Sequence, residues 1–362
     1  MIPASTRQQN AAAWQREIAE AVRDPAELFE CLGLDPGTLP GARAAAGDFP
    51  LRVPRGYLAR MRAGDPADPL LAQVLPQCAE RVTTAGFGPD PVGDRNAMMR
   101  PGVLHKYHGR VLLVTTGACA VHCRYCFRRE FPYSEANARA GEWHAALAYI
   151  AGAPDVGEVI LSGGDPLSLG DAALDDLIGR IEAIAHVETL RIHSRLPVVV
   201  PARVTAALCE RLAASRLRCV VVLHANHANE IDETVDQAYR RLQAAGATLL
   251  NQAVLLRGVN DSAASQVALA RRLFACGVLP YYLHLLDPVR GAAHFEVPSH
   301  EARGLLAEVA SRLPGYLLPR LVREEPGGPG KTPIPHDWDA ATLQPVAPDA
   351  GAHGRRRGPD TP

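Results

Sequence analysis

The 362-residue chain is 47% hydrophobic and carries 38 Lys and Arg residues against 39 Asp and Glu residues. This composition predicts a globular protein with a sizeable core, and the balanced charge favours neither nucleic-acid binding nor attraction to an anionic membrane. No apolar segment approaches the roughly 18 residues of a membrane-spanning helix. The N-terminus also lacks an apolar signal core, so we expect a soluble cytoplasmic protein.

Residues 1–100 show helical patterns interrupted by Pro and Gly, and we expect a helical N-terminal accessory segment. From Val111 onward, short apolar segments alternate with amphipathic stretches of helical length. The six predicted strands are VLLVTT, EVILSGG, TLRIHS, RCVVVLHA, TLLNQAVLL and LPYYLHLL. Strands separated by helices predict parallel βα units, arranged either as a doubly wound sheet or as a partial TIM-type barrel. Both arrangements place functional residues at the carboxyl ends of the strands.

The segment after Asp171 shows why the intervening stretches are predicted to be helices. Asp171 is a plausible N-cap, and apolar residues follow it at helical spacing. These are Leu174, Leu177, Ile178, Ile181 and Ile184. We expect one main domain over 101–345, whereas 346–362 is rich in Pro, Gly and charge and is predicted to be disordered.

Three cysteines follow the first predicted strand in the segment GACAVHCRYCFRR. Cys119, Cys123 and Cys126 form a C-x3-C-x2-C pattern, and eight cysteines in the whole chain are too few for a disulfide scaffold. A [4Fe–4S] cluster bound by three cysteines leaves one iron open to an external ligand. A structural zinc site would instead need a fourth ligand such as His122. We expect the five remaining cysteines to be small core residues.

Two further segments indicate cofactor chemistry. The second strand ends in SGGDPL, where Gly163 and Gly164 allow the backbone to approach a ligand closely. The chain contains only two lysines, Lys106 and Lys331, and the second lies in EEPGGPGKTP. A primary amine forms a Schiff base with pyridoxal phosphate, which arginine does not, although a solvated lysine in a turn is the simpler alternative.

Together these motifs resemble the lysine 2,3-aminomutase family of radical S-adenosylmethionine enzymes, from about Leu104 to Pro333. The matching segments are LHKYHGRVLL, CRYCFRR, SGGDPL, RIHSRLPVVVPAR, NQAVLLRGVND, YYLHLLDPVRGAAHF and PGGPGKTP. The chain is most similar to the bacterial branch that makes (R)-β-lysine for modifying elongation factor P. The resemblance implies an α/β fold with a partial (β/α)6 TIM-type barrel. It also implies an isomerase that converts L-α-lysine to (R)-β-lysine by radical 1,2-amino migration.

The resemblance also implies three cofactors and a set of site residues. Cys119, Cys123 and Cys126 are expected to bind the [4Fe–4S] cluster, and Lys331 is expected to carry pyridoxal phosphate as the catalytic lysine. The other expected cofactor-binding residues are Lys106 and Arg110 around the phosphate, and Ser162, Gly163, Gly164, Asp165, His224 and Gln252 around S-adenosylmethionine. The expected substrate-binding residues are Arg128 for the carboxylate, and Asp287 and Glu324 for the ε-ammonium.

The chain departs from the family pattern at three places. Position 324 is Glu, where the enzymes acting on free lysine have Asp, and Pro329 interrupts the glycine run before Lys331. Ser262 follows VND and no cysteine follows Cys276, so we expect the zinc site of the lysine-degrading enzymes to be absent. This difference favours the elongation factor P branch.

The partners implied are free L-lysine and a reductase or flavodoxin-type electron donor. A functional link to elongation factor P and its lysine ligase is also implied, and we expect a homo-oligomer that binds neither nucleic acid nor membrane. Two alternatives stay open. One is a 2,3-aminomutase for another amino acid, such as arginine or glutamate, and the other is a non-catalytic iron–sulfur or zinc-binding module.

Overall fold

The structure is a computed structural model that describes residues 13–136 and 143–336, together with the backbone of two short strands beyond them. The tail predicted over 346–362 lies outside the described residues. The helices are α1 (13–19), α2 (Pro25–Leu32), α3 (Leu39–Asp48), α4 (Arg55–Leu58), α5 (Pro69–Ala72), α6 (His144–Ala151), α7 (Asp171–Glu182), α8 (Leu196–Val199), α9 (Ala206–Ala213), α10 (Glu233–Ala244), α11 (Ala263–Ala275) and α12 (Ser299–Ala310).

The strands follow one another in space in the order of the chain. They are β1 (Met98–Arg100), β2 (Val103–Tyr107), β3 (Arg110–Thr116), β4 (Glu158–Gly163), β5 (Thr189–Ser194), β6 (Arg218–Leu223), β7 (Thr248–Val254), β8 (Leu279–His284), β9 (Arg320–Arg323) and β10 (Thr332–Pro333), with the separate pair β11 (Trp338–Asp339) and β12 (Gln344–Pro345). Strands β3 to β9 pair in parallel, and β1–β2–β3 and β9–β10 pair antiparallel. Because the order never reverses, the fold is a partial barrel and not a doubly wound sheet.

The six strands predicted from the sequence are confirmed as β3 to β8, with a helix after each. The seventh parallel strand, β9, was not predicted. It is only four residues long, and only Leu321 and Val322 are buried in it. A pattern this short does not distinguish a strand from a loop.

Helix α7 buries the predicted face, since Leu174, Leu177, Ile178 and Ile181 are all in the core. The prediction of Asp171 as its N-cap is wrong. The N-cap is Gly170, and Asp171 is the first helical residue. Its carboxylate instead accepts hydrogen bonds from Arg203 Nη1 and Thr205 Oγ1, at 2.8 and 2.9 Å.

The N-terminal segment packs onto the barrel instead of standing apart from it. Trp14, Leu28 and Leu70 belong to the same continuous hydrophobic cluster as Leu113 of β3 and Leu161 of β4. The domain boundary near residue 100 stays a prediction. No helix within the described residues is long and apolar enough to span a lipid bilayer.

The expectation for the five scattered cysteines is confirmed in part. Cys219 and Cys276 are buried and Cys209 is half-buried, but Cys31 and Cys78 are exposed. The core prediction is therefore wrong for the last two. Cys31 lies on the face of α2 that points away from the core, so its small apolar side chain is not needed for packing.

The barrel is open between its two edge strands, β1 and β10. Side chains meet across this opening. Lys106 on β2 donates a hydrogen bond of 3.0 Å to Glu324, which directly follows β9. The ion pair thus links the two strands that lie next to the edge strands.

Candidate active site

The three clustered cysteines lie in the loop that follows β3, and all are half-buried free thiols. Burial, together with the neighbouring Cys126 and Asp165, raises the pKa of Cys119 well above its usual value. Burial and the nearby Cys123 raise the pKa of Cys126 to about 11. The thiols are therefore close enough to oppose one another's ionisation. A positively charged iron centre would stabilise them as thiolates.

This donor set fits an iron–sulfur cluster better than a single zinc ion. Within the described ranges, no three His, Cys, Asp or Glu side chains converge as the ligands of one metal ion must. In a [4Fe–4S] cluster each thiolate binds a different iron, so the sulfurs lie further apart. His122 has its Nδ1 2.8 Å from the carbonyl oxygen of Pro50, and its ring stacks on Phe49. The assignment of the cysteines to a cluster stays a prediction that this geometry supports.

The N-terminal segment holds the cysteine loop in place. Arg124, which follows Cys123, is fully buried and donates to both carboxylate oxygens of Glu80, at 2.8 and 2.6 Å. Arg129 donates to the same carboxylate at 3.0 Å. The backbone N–H of Arg124 also donates to the carbonyl oxygen of Gln73 at 2.9 Å. Two buried arginines of the loop thus share one carboxylate of the segment that the sequence classed as accessory.

The glycines of SGGDPL are required by the packing of this loop. Gly163 has a φ of +125°, and a Cβ there would lie 2.5 Å from the carbonyl oxygen of Thr116. A Cβ on Gly164 would lie 2.4 Å from the carbonyl oxygen of Ala118. Only glycine allows β4 to end this close to the cysteine loop. Contact of these residues with S-adenosylmethionine stays a prediction.

Asp165 anchors the same strand end through contacts within the protein. Its Oδ1 accepts from Ser194 Oγ at 2.7 Å and from the amide of Leu167 at 3.0 Å. Its Oδ2 accepts from the amides of Arg195 and Leu196, at 2.7 and 3.1 Å. Burial raises the pKa of Asp165 to about 6. Because four protein donors already engage the carboxylate, its position is explained without a ligand, and its predicted cofactor contact stays untested.

His224 directly follows β6, and Gln252 lies in the neighbouring strand β7. The Nε2 of His224 lies 2.9 Å from the hydroxyl of Tyr125, and the two rings stack at 5.7 Å. Burial, reinforced by Arg195, lowers the pKa of His224 to about 3, so its ring is neutral. The side-chain amide of Gln252 has no hydrogen-bond partner among the described residues. Contact of these two side chains with S-adenosylmethionine stays a prediction.

Lys331 ends the loop that joins β9 to β10. The two strands form an antiparallel hairpin in which Thr332 pairs with Arg323. The hairpin returns the chain so that Lys331 Nζ donates to Glu324 Oε2. Lys106 Nζ donates to the other oxygen, Glu324 Oε1, at 3.0 Å. One carboxylate therefore binds both lysines of the chain.

Asp94, on the N-terminal side of β1, connects Lys106 to Arg128. Its Oδ1 lies 2.6 Å from Lys106 Nζ, and its Oδ2 accepts from Arg128 Nε at 2.7 Å. Burial acts to raise the pKa of Asp94, but Arg128 and Lys106 outweigh it and hold the pKa below its usual value. Arg128 also donates to Ser162 Oγ at 3.1 Å. Arg128 and Ser162, predicted separately as binding residues, are thus direct neighbours.

Asp287 follows β8 and faces the same cations. Burial raises the pKa of Asp287 to about 6, while Lys331 and Lys106 act in the opposite direction. Burial also lowers the pKa of Lys331 to about 8, with Asp287 opposing the shift. The amine of Lys331 is therefore closer to its neutral, nucleophilic form than an exposed lysine is.

The predicted phosphate site is only partly assembled. The guanidinium of Arg110 lies 4.7 Å from the ring centroid of Tyr107, and Lys106 is engaged by two carboxylates. Binding of a phosphate by Lys106 and Arg110 stays a prediction.

Two histidines lie close to Lys331 and fit an organic cofactor there. Burial lowers the pKa of both His193 and His284 well below the usual value, and the charge of Lys331 adds to the effect. Both rings are therefore neutral. The Nε2 of His193 is buried without a hydrogen-bond partner in the described part of the chain. An orphaned buried polar atom at this position fits a site that binds a polar ligand such as pyridoxal phosphate.

Several site residues were not predicted from the sequence. They are Glu80, Asp94 and Arg124, described above, and Arg195, whose Nη2 donates to Gln73 Oε1 and Glu230 Oε2 at 2.7 and 2.9 Å. Two of them offered a signal, because Arg124 lies within CRYCFRR and Arg195 directly follows a predicted strand in RIHSRLP. The others act through partners that are distant in the chain, as in the 157-position separation of Gln73 and Glu230.

Comparison with known proteins agrees with the resemblance in the sequence. The chain is 51% identical over 322 residues to the L-lysine 2,3-aminomutase of Escherichia coli K12, covering 89% of this chain and 94% of that protein. The L-lysine 2,3-aminomutase of Haemophilus influenzae is 46% identical over 88% of this chain and 94% of its own length. That of Clostridium subterminale is 34% identical over 89% of this chain and 77% of its own length.

Two other comparisons were less informative. No protein-family model matched the chain. A solved radical S-adenosylmethionine methyltransferase from Sphaerobacter thermophilus aligns with 61% of this chain and 68% of its own, at 17% identity and a TM-score of 0.43. Since that score is low, the fold assignment rests on the strand order described above. The identity and coverage of the sequence relatives decide the family: this chain belongs to the L-lysine 2,3-aminomutase family.

Proposed function

We propose that this chain converts L-α-lysine to (R)-β-lysine by radical migration of the amino group from the α-carbon to the β-carbon. One observation carries the choice of substrate. The primary ammonium of Lys331 is bound by Glu324 and lies near Asp287, so a site for an alkylammonium between two acids already exists. The nearby Arg128 offers a guanidinium for a carboxylate.

The charges around Lys331 support a cationic substrate. Three carboxylates face three cations. They are Asp94, Asp287 and Glu324 on one side, and Lys106, Arg128 and Lys331 on the other. Glu324 and Asp287 lie beside the amine of Lys331, so the ε-ammonium of a substrate lysine at this position would meet carboxylates that balance its charge. A glutamate side chain would instead add a further negative charge.

The residues of the site would hold the substrate by its charged ends. Arg128 is 6% exposed and the side chain of Glu324 is 9% exposed, so their contacts with a bound lysine would be shielded from water. When bound, the cluster and S-adenosylmethionine supply the hydrogen-abstracting radical, and pyridoxal phosphate supplies a ring that stabilises the unpaired spin. Cys119, Cys123 and Cys126 would bind the cluster. His224 and Gln252 would contact the nucleotide, and Lys331 would hold pyridoxal phosphate.

We also propose the cellular setting that the resemblance implies. The product would serve, together with a lysine ligase, in the modification of elongation factor P in the cytoplasm, and a reductase or flavodoxin-type protein would reduce the cluster. The replacement of a zinc-binding cysteine by Ser262 supports this branch of the family. Assembly into a homo-oligomer stays a prediction.

The reaction is tested with anaerobically reconstituted protein, dithionite, S-adenosylmethionine and pyridoxal phosphate. L-Lysine, L-arginine and L-glutamate are supplied separately, and the products are identified by chromatography with mass detection. We expect β-lysine alone. β-Arginine or β-glutamate as the main product would contradict the substrate, although the reaction class would stand. Absence of both 5′-deoxyadenosine and a pyridoxal absorbance would favour the non-catalytic module.

The loading of pyridoxal phosphate should depend on pH through Lys331. The amine must lose its proton before it attacks the aldehyde, and its pKa is about 8, against 10.5 for an ordinary lysine. The loading rate, followed by absorbance, should therefore rise with pH and reach half its maximum near pH 8. In Asp287→Asn the midpoint should move lower, because the carboxylate that favours the ammonium is gone.

The second lysine provides a control for this measurement. Lys106→Arg removes the only other side-chain amine of the chain. The rate of pyridoxal phosphate loading in this variant should still rise with pH and reach half its maximum near pH 8. A midpoint close to that of an ordinary lysine would contradict the burial of Lys331.

A further inference from the structure

Arg195 connects the cysteine loop to the interior of the protein. Its Nη1 lies 2.7 Å from Cys123 Sγ and 2.6 Å from the hydroxyl of Tyr125. The side chain is only 7% exposed. A guanidinium that directly follows β5 is thus placed against one of the three sulfurs expected to bind the cluster.

The position of Arg195 does not depend on Cys123. Its Nη2 donates to Glu230 Oε2 at 2.9 Å, to Gln73 Oε1 at 2.7 Å and to the hydroxyl of Tyr57 at 3.2 Å. These partners come from the N-terminal segment and from the loop after β6. The cation is therefore fixed by the protein before any cluster binds.

Arg195 also retains an unused donor. Its Nε is buried and has no hydrogen-bond partner within the described residues. Glu230 is fully buried, and its Oε1 is engaged by the backbone amides of Asn226 and His227, at 2.7 and 3.0 Å. The Arg195–Glu230 ion pair therefore has a fixed orientation, with the guanidinium against the Cys123 sulfur and the carboxylate on the other side of the guanidinium.

We propose that Arg195 raises the reduction potential of the cluster through a charge-assisted hydrogen bond to the Cys123 sulfur, and that Glu230 limits this effect. The inference rests on the proposed cluster on Cys119, Cys123 and Cys126. One electron from an external donor gives the reduced cluster one more negative charge than the oxidised cluster. A nearby cation and an N–H donor to sulfur stabilise that extra charge. Arg195 is thus a positioning residue that makes the cluster easier to reduce.

The test uses the full chain reconstituted anaerobically with iron and sulfide, without S-adenosylmethionine, pyridoxal phosphate or lysine. The midpoint potential is measured by titration with dithionite, with the reduced cluster detected by electron paramagnetic resonance. Glu230→Gln should raise the potential, because the cation at the sulfur loses its opposing charge. The double variant Arg195→Gln/Glu230→Gln should lower it below wild type. For the double variant we expect about a tenfold fall in the ratio of reduced to oxidised cluster at a given applied potential. This fall corresponds to a midpoint potential lower by about 59 mV for one electron.

A matched control removes a buried ion pair elsewhere. Arg203 is fully buried and pairs with Asp171 at 2.8 Å beside α7. The variant Arg203→Gln/Asp171→Asn should leave the potential unchanged. This control separates the proposed local effect from a general loss of stability.

Opposite shifts in the two test variants would support the proposal, since general damage has no reason to change sign. A wild-type potential in the double variant, or shifts in the same direction, would overturn it. If the double variant binds no iron, the variant Arg195→Lys is tested in its place. Lysine keeps the positive charge but lacks the planar guanidinium, so the midpoint potential of the cluster should fall by a smaller amount. An unchanged potential there would also overturn the proposal. Failure of the wild-type chain to assemble a cluster would refute the proposed function itself.

Discussion

Replacing Lys331 by alanine should reduce β-lysine formation by at least about 10³-fold, the scale of effect seen when a covalent catalytic group is removed. The same variant should lose the absorbance of lysine-bound pyridoxal phosphate. The only other lysine, Lys106, is bound by Asp94 and Glu324 and is not placed to substitute. Turnover is measured from the β-lysine formed, and cofactor attachment from the absorption spectrum after removal of unbound pyridoxal phosphate.

A matched variant separates the chemistry of Lys331 from its charge. Lys331→Arg keeps a cation next to Glu324 but provides no primary amine. We expect it to be as inactive as the alanine variant, with a cluster content equal to that of the wild type. If the arginine variant retained more than a few per cent of the activity, the role of Lys331 would be electrostatic and its assignment as the cofactor lysine would be wrong.

Replacing Glu80 by glutamine should lower the free energy of unfolding by about 3–5 kcal/mol, the cost of breaking a buried ion pair by removing one partner. Arg124 and Arg129 would then be buried without the carboxylate that they share. The cysteine loop carries both arginines, so we also expect a lower iron content after reconstitution. Unfolding in denaturant measures the first effect, and iron analysis measures the second.

The neighbouring residue provides a control. Arg81 pairs with Asp48 at 3.0 Å, and both side chains are more than half exposed. Asp48→Asn should change stability by no more than about 1 kcal/mol, because exposed ion pairs contribute little. Equal effects of Glu80→Gln and Asp48→Asn would mean that Glu80 does not hold the loop.

Strands β3 to β8 were predictable because each is long and apolar enough to be recognised by itself. The same applies to the cysteine loop, whose three expected sulfur ligands lie within one short segment. The choice between a doubly wound sheet and a partial barrel needed the order of the strands in space. Strand β9 was missed because only two of its four residues are buried. The antiparallel strands β1 and β2 were missed for a similar reason, since neither buries more than two residues.

The ionic contacts within the site were harder to predict. Lys106, Arg128 and Glu324 were predicted as binding residues from their motifs, but the carboxylate of Asp94 that pairs with Lys106 and Arg128 was not. A lone Asp between turns carries no pattern, and its role depends on a partner 34 positions away. Residues 1–100 were classed as accessory because their composition shows helices and not contacts. Glu80 and Asp94 show that this segment supplies acids to the site.

The ion pair across the barrel opening also bears on the order in which the protein is made. Lys106 and Glu324 are 218 positions apart, whereas the contacts of the cysteine loop with Glu80 and Arg195 span 44 and 72 positions. Domains fold from the N-terminus as the ribosome releases them, and nearby contacts form before distant ones. The cysteine loop therefore gains its partners while the chain is still growing. The contact of Lys331 with Glu324 forms only after the hairpin of β9 and β10 is released, so attachment of pyridoxal phosphate would follow the assembly of the cysteine loop.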